Sequence, residues 1–227
     1  MNSLTSRRVG DVLDQLFRQA EVTDAPYVAE FLDGIEAGAD PLAELLDAES
    51  RDYKAVYHRV ADHFLSVSPE FGRLLYMCGR AASATRIVEF GTSFGISTIH
   101  LACAVRDNGG GTVIGTELEP TKAARARENL AAAGVADFVD IRVGDALDTL
   151  RDGVGGPIDV IHLDGAFSLY RAVLELLEPH LRTGTLVLAE NATPGYLDHV
   201  RDPANGYLSL ALPFEPGRGN EMSIFTG

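Results

Sequence analysis

Apolar residues recur along this chain with two different periods, and the change falls near residue 67. Before it, Leu42, Leu46, Tyr53, Val56, Val60, Phe64 and Val67 lie mostly three or four apart, the spacing of one helical face. Pro41 opens that pattern, and Ala37-Gly38-Ala39-Asp40 separates it from earlier helical segments over 12–17 and 27–35. Residues 10–67 therefore read as all helix, and too few to bury their own apolar faces. They are expected to pack on the remainder of the chain, on a partner subunit, or over a functional site.

From Pro69 onward short apolar runs alternate with helical patterns. Strands are predicted over 86–90, 112–116, 138–143, 158–163, 185–189, 207–212 and 222–225. Helical patterns fill the first four gaps, such as 121–133 ending at Gly134 and 168–178 ending at Pro179. That alternation implies right-handed crossovers and a parallel sheet. Only 213–221 separates the last two strands, with Pro216-Gly217 as a turn, so the final strand is expected to run antiparallel. The expectation is an α/β fold: a seven-stranded, mostly parallel sheet with an antiparallel last strand and helices on both faces. Residues 1–67 would form a helical lid or dimerisation segment and 68–227 the main domain.

The most informative local pattern is Val88-Glu89-Phe90-Gly91-Thr92-Ser93-Phe94-Gly95, followed by Glu117 at the end of the second strand. A strand, a Gly-rich turn, a helix and a second strand capped by a carboxylate form a unit that binds adenosine-containing ligands. The turn lets backbone approach the ligand, and the acid accepts hydrogen bonds from the ribose hydroxyls. A dinucleotide site wants G-x-G-x-x-G, because pyrophosphate needs bare backbone. Ser93 stands where that middle glycine would be, so a phosphate-free ligand such as S-adenosylmethionine fits better than a nicotinamide cofactor.

Composition narrows the partners. Of 227 residues, 46% are hydrophobic, enough for a substantial core. Nineteen Lys and Arg against 33 Asp and Glu give a net charge of −14. The chain has no basic cluster beyond Arg7-Arg8, which argues against nucleic acid. No apolar run reaches the ~18 residues of a membrane span, and the N-terminus lacks a signal peptide's apolar region. A cytoplasmic protein is expected, with Cys78 and Cys103 reduced and buried in helices.

Taken in order, these residues resemble a class I S-adenosylmethionine-dependent methyltransferase. More closely, the chain is similar to the small catechol and caffeoyl-CoA type O-methyltransferases, including bacterial natural-product tailoring members, over about residues 60–227. The resemblance implies a Rossmann-like domain, S-adenosylmethionine as methyl donor, a small-molecule acceptor, a homodimer and a role in secondary metabolism. Carried onto this sequence, Val67 and Ser68 would touch the methionine part of the donor. Glu89, Gly91, Thr92, Ser93, Gly95 and Ser97 match the first donor motif, Glu117 the ribose acid, and Leu118 its adenine-flanking neighbour. Gly144, Asp145 and Ala146 match the loop that closes on adenine. Asp164, Glu190 and Asn191 match the ligands of a divalent cation, usually Mg²⁺, and Glu221 a late acid that contacts the acceptor. Hard oxygen donors at neighbouring strand ends suit Mg²⁺.

Two departures bear on the chemistry. The family's fourth-strand motif runs from the aspartate through an aromatic residue to a lysine that serves as base. Here the residues are Asp164-Gly165-Ala166-Phe167, so Ala166 stands in place of the aromatic beside adenine and Phe167 cannot accept a proton. Glu190 replaces the usual aspartate. Lys54 and His58, on the long N-terminal helix with Tyr53 and Tyr57, are candidate substitute bases, as are His63 and His199. His162 reads as a core histidine, and Lys122 as badly placed for the role. Methyl transfer to a hydroxyl is the first expectation. The alternative keeps the donor and cyclises its aminobutyrate chain, releasing methylthioadenosine and a small cyclic amino acid; a donor-binding scaffold is a third.

Overall fold

The computed structural model describes residues 2–213 and 219–227. The predicted Pro216-Gly217 turn lies outside the described residues. Strands β1 (Arg86–Phe90), β2 (Thr112–Glu117), β3 (Val139–Val143), β4 (Val160–Leu163), β5 (Leu186–Ala189), β6 (Tyr207–Ala211) and β7 (Glu221–Phe225) form one sheet in the order β3-β2-β1-β4-β5-β7-β6. The first five pair in parallel, and β7 runs antiparallel to both β5 and β6. All seven expected strands are present, and the reversed one is the last.

Alternation along the strands divides the core into two layers. Ile87, Val113, Ile141, Val160 and Leu188 pack under α1 (Arg7–Glu36), α3 (Pro69–Ala81), α4 (Ile96–Asp107) and α5 (Pro120–Ala133). Val88, Ile114, Ile161, Leu163 and Val187 face the other way, towards α6 (Ala146–Thr149), α7 (Tyr170–Leu177) and α8 (Pro194–Arg201). Strand order reverses between β1 and β4, which opens a crevice at their carboxyl ends.

The N-terminal region departs from an uninterrupted helical reading. α1 is one 30-residue helix that carries Pro26 within it, where two segments are predicted. Its first half, through Val9, Leu13, Leu16 and Ala20, belongs to the same core layer as α4 and α5. The second half leaves Val28, Leu32 and Ile35 exposed. α2 (Pro41–Arg59) stops well before residue 67, and 60–68 is irregular. The cause is local. The Asp24 carboxylate of α1 accepts from the Phe64 amide at 2.9 Å and the Leu65 amide at 2.7 Å, and Leu65 sits at φ 46°. Those donors are satisfied by a side chain instead of a helical ladder. Val60, Phe64 and Val67 therefore do not extend the helical face that their spacing suggests.

Candidate active site

The turn after β1 is shaped by close backbone approach. Gly91 has φ 95°, and a Cβ there would lie 2.1 Å from the Asp164 carbonyl oxygen of the neighbouring β4. Only glycine allows the two strand ends to converge this closely. Ser93 follows at φ 47°, and its amide donates to Glu117 Oε2 at 2.7 Å. The Glu119 amide donates to Glu117 Oε1 at 2.8 Å. Both oxygens of the expected ribose acid are thus oriented by main chain, each with lone-pair capacity left for a ligand hydroxyl. Burial raises the Glu117 pKa, opposed by these two amides and by the Lys122 ammonium.

Two lobes open from this turn and share Phe64, Leu65, Gly91, Ser93 and Asp164. The smaller runs between the 64–67 segment and the start of α4, reaching Val67, Thr92 and Ser97. The larger passes Glu117 and Leu118 to Gly144, Asp145 and Ala146 on one side and Gly165, Ala166 and Leu169 on the other. Most of the expected donor residues therefore border one continuous crevice. Ser68 instead caps α3, accepting from the Phe71 amide at 3.0 Å. Gly95, at φ 90°, starts α4. Glu89 is fully buried and accepts from Thr92 Oγ1 at 3.1 Å and Thr98 Oγ1 at 2.5 Å, bracing the turn from beneath.

The expected metal ligands are partly assembled. Register pairs Leu163 with Ala189, so Asp164 and Glu190 follow side by side on adjacent parallel strands. Asn191 comes next with φ 52°. Glu190 is buried, and its carbonyl accepts from the Tyr170 hydroxyl at 2.8 Å. Among the described residues no three His, Cys, Asp or Glu side chains converge as a metal cluster; the set here is two carboxylates and an amide. Its all-oxygen chemistry suits a hard dication.

Other expected site residues are engaged elsewhere. Glu221 is buried against Arg201, which donates to its two oxygens at 2.9 and 2.7 Å, while Ser209 Oγ donates at 2.7 Å. It forms no part of the described pocket walls, and its carboxylate is engaged by this ion pair. Lys54 Nζ lies 2.8 Å from Asp145 Oδ2, and the exposed His58 ring lies 3.3 Å from Glu119. Neither borders the described pocket; both tie α2 down. His162 is fully buried against Phe71 and Glu89, as its strand position suggests. His63 sits 3.3 Å from Asp24, and His199 bonds Glu178 at 2.8 Å. Phe167 turns into the core, edge-on to Tyr170 at 5.9 Å.

Three pocket features escaped the sequence reading. Lys122 is buried in the wall, its ammonium 5.5 Å from the Phe94 ring centroid. Burial lowers its pKa, opposed by Glu117. Tyr53 and Tyr57 also line the pocket, the first donating to Asp145 Oδ2 at 2.5 Å. Burial pushes the Asp145 carboxyl up, but Lys54 and Tyr53 outweigh it and hold the group below its ordinary value. The third is Glu49, 1% exposed, which bonds the Tyr57 hydroxyl at 2.9 Å and the Ser168 amide at 2.7 Å. A signal for Glu49 existed: it interrupts the stripe of Leu42, Leu46, Tyr53 and Val56 with a charge.

A sheet with one reversed strand, a Gly91 turn, a main-chain-oriented acid and a two-lobed crevice define an S-adenosylmethionine-binding methyltransferase. A model described as a methyltransferase domain matches residues 88–192. A catechol O-methyltransferase of Mycobacterium tuberculosis is 37% identical over 171 residues, spanning 75% of this chain and 73% of the relative. Among solved structures, cofactor-bound Rv0187 from MTB superposes with TM-score 0.66 at 29% identity, over 87% of this chain and 95% of that one. The O-methyltransferase TomG of Streptomyces achromogenes, involved in tomaymycin synthesis and bound to S-adenosylmethionine, gives TM-score 0.61 at 29% identity, over 81% and 90%. The chain belongs to the S-adenosylmethionine-dependent O-methyltransferases, and its cofactor is S-adenosylmethionine.

Proposed function

We propose that the protein methylates a phenolic hydroxyl of a small, catechol-like acceptor. The observation that carries this reading is the position of Asp164, which borders both lobes and has Glu190 beside it by strand register. The names of the curated relatives point to the same acceptor class. The donor's ribose would lie on Glu117, its base towards Asp145, Ala146 and Ala166, and its methionine chain towards Val67 and Ser97. Asp164, Glu190 and Asn191 would hold a divalent cation such as Mg²⁺. A bound dication favours an ionised acceptor hydroxyl.

With the acceptor ionised and its proton released to solvent, methyl transfer forms an oxygen–carbon bond as the sulfur–carbon bond breaks and the electron pair stays on sulfur, so the chief demand is alignment at about 3 Å. Gly91, Ser93 and Glu117 supply it by fixing the donor, and Asp164 orients the acceptor hydroxyl. Lys54 and His58 act as tethers of α2 in this reading, not as bases. The protein would work in the cytoplasm as a homodimer, with α1 presenting Val28, Leu32 and Ile35 at helical spacing to its partner. Among the described residues no helix is long and apolar enough to cross a membrane. Similarity to TomG supports a tailoring role in secondary metabolism.

The test is incubation of the protein with S-adenosylmethionine and catechol, with Mg²⁺ or with chelator, and identification of products by mass spectrometry. S-adenosylhomocysteine and a methoxyphenol, both lost on chelation, are expected. Methylthioadenosine formed without acceptor would overturn methyl transfer in favour of cyclisation. Turnover indifferent to chelator would remove the metal alone.

A further inference from the structure

α2 is broken in its middle, and the break brings together two residues that a straight helix would hold apart. Asp52 has φ −161° and ψ 81°, and its Oδ1 accepts from the Ala55 amide at 3.0 Å, restarting the helix as a cap does. Glu49 and Tyr57 are eight positions apart, about 12 Å along a continuous helix axis. Across the break the Tyr57 hydroxyl donates to Glu49 at 2.9 Å, with the Gly165 carbonyl 3.3 Å away. The other Glu49 oxygen takes the Ser168 amide at 2.7 Å. One buried carboxylate thus joins both halves of α2 to the loop that follows β4.

The pocket's direction says what this arrangement faces. With the ribose on Glu117 and the smaller lobe taking the methionine chain, the purine is left the lobe of Leu118, Ala146 and Ala166. On the sheet side Leu118, Ala146 and Ala166 offer small or aliphatic surface, and the Phe90 ring lies behind Gly165, edge-on to Tyr170. The aromatic rings that border this lobe from α2 are Tyr53, anchored on Asp145, and Tyr57, anchored on Glu49. We infer that α2 completes the donor site: Tyr57, held by Glu49 across the break at Asp52, is the aromatic wall on which the purine stacks. Glu49 is its positioning residue. This assignment rests on the donor placement proposed above.

Affinities for S-adenosylhomocysteine, methylthioadenosine and S-ribosylhomocysteine, which lacks the purine, test it by calorimetry. Base-on-ring stacking predicts that Tyr57→Leu weakens the first two about tenfold or more and leaves S-ribosylhomocysteine unchanged. Tyr57→Phe keeps the ring and stays near wild type, while Glu49→Gln loses a few-fold. The chain contains no tryptophan, so tyrosine emission is a second readout, quenched by S-adenosylhomocysteine in the wild type and less in Tyr57→Leu. Equal losses for all three ligands, or none, overturn the inference. Should Tyr57→Leu fail to fold, Glu49→Gln carries the same decision: a loss for the two purine ligands with S-ribosylhomocysteine unchanged supports the inference, and equal losses or none overturn it. Glu117→Ala separates the premises: undiminished affinity there overturns the donor placement and the stacking on Tyr57 with it. Loss in Glu117→Ala with full affinity in Tyr57→Leu overturns the stacking on Tyr57 alone.

Discussion

On the sheet side of the pocket, Gly91, Ser93 and Glu117 are fixed by main-chain geometry continuous with the β ladder. On the helical side, Tyr53, Lys54, Tyr57 and His58 are fixed by contacts of their side chains with Asp145, Glu49 and Glu119. The two sides enclose one crevice but differ in what disturbs them. Strand ends yield only to sterics or unfolding, because each group is over-determined by its neighbours. A helix with only Glu49 and Val56 buried depends on a handful of polar contacts and yields to single substitutions without loss of fold.

The sharpest way to break the comparison is at Gly91. Valine there would drive Cβ into the Asp164 carbonyl and force a β-branched residue to φ 95°, at a cost of about 3–5 kcal/mol. The urea midpoint should collapse, and an unchanged midpoint would show that the turn is pliable after all.

Acid should also strike the sheet side first. His100 of α4 is buried beneath Gly72 and Phe17, and burial lowers its pKa from 6.5 to about 4. The unfolded chain binds that proton between pH 6.5 and 4 while the folded one does not. The stability contribution is therefore complete above pH 6.5 and is lost as pH falls towards 4, up to about 3 kcal/mol. Urea midpoints at pH 7.5 and 4.5 should differ less in His100→Gln than in the wild type; equal slopes would exclude His100 as the cause.

The helical side should answer in affinity. Asp24→Asn weakens the hold on the Phe64 and Leu65 amides, so S-adenosylhomocysteine should bind about three- to tenfold more weakly with a small change in melting temperature. A large melting shift would place this segment with the rigid wall. Lys54→Ala should do least, under about twofold in affinity at moderate salt, since the Lys54 side chain is half exposed and Tyr53 still holds Asp145.

The same contrast explains what the sequence made legible. Strands announce themselves by short apolar runs, and the Gly91 turn and Glu117 acid occupy fixed places in a local strand–turn–helix unit. Helical spacing marked a helix opening at Pro41 and running to Val67, but periodicity carries no information about a break at Asp52 or a carboxylate arriving from another helix. Asp24 therefore ended the pattern before Phe64 and Val67 without a local warning. Glu221 shows a related limit: in sequence, an acid on a late strand looks the same whether it meets a ligand or Arg201. Lys122 lies in the first turn of α5, and only the tertiary fold shows its ammonium beside Glu117.

The break at Asp52 bears on the order of events in turnover. A donor roofed by α2 must enter before the roof settles, and its spent form must wait for Tyr57 and Glu49 to part from the loop after β4. Acceptor and methylated product, approaching past Asp164, would exchange without that step. If α2 roofs the donor, S-adenosylhomocysteine would be the last to leave, competing with the donor and not with the acceptor.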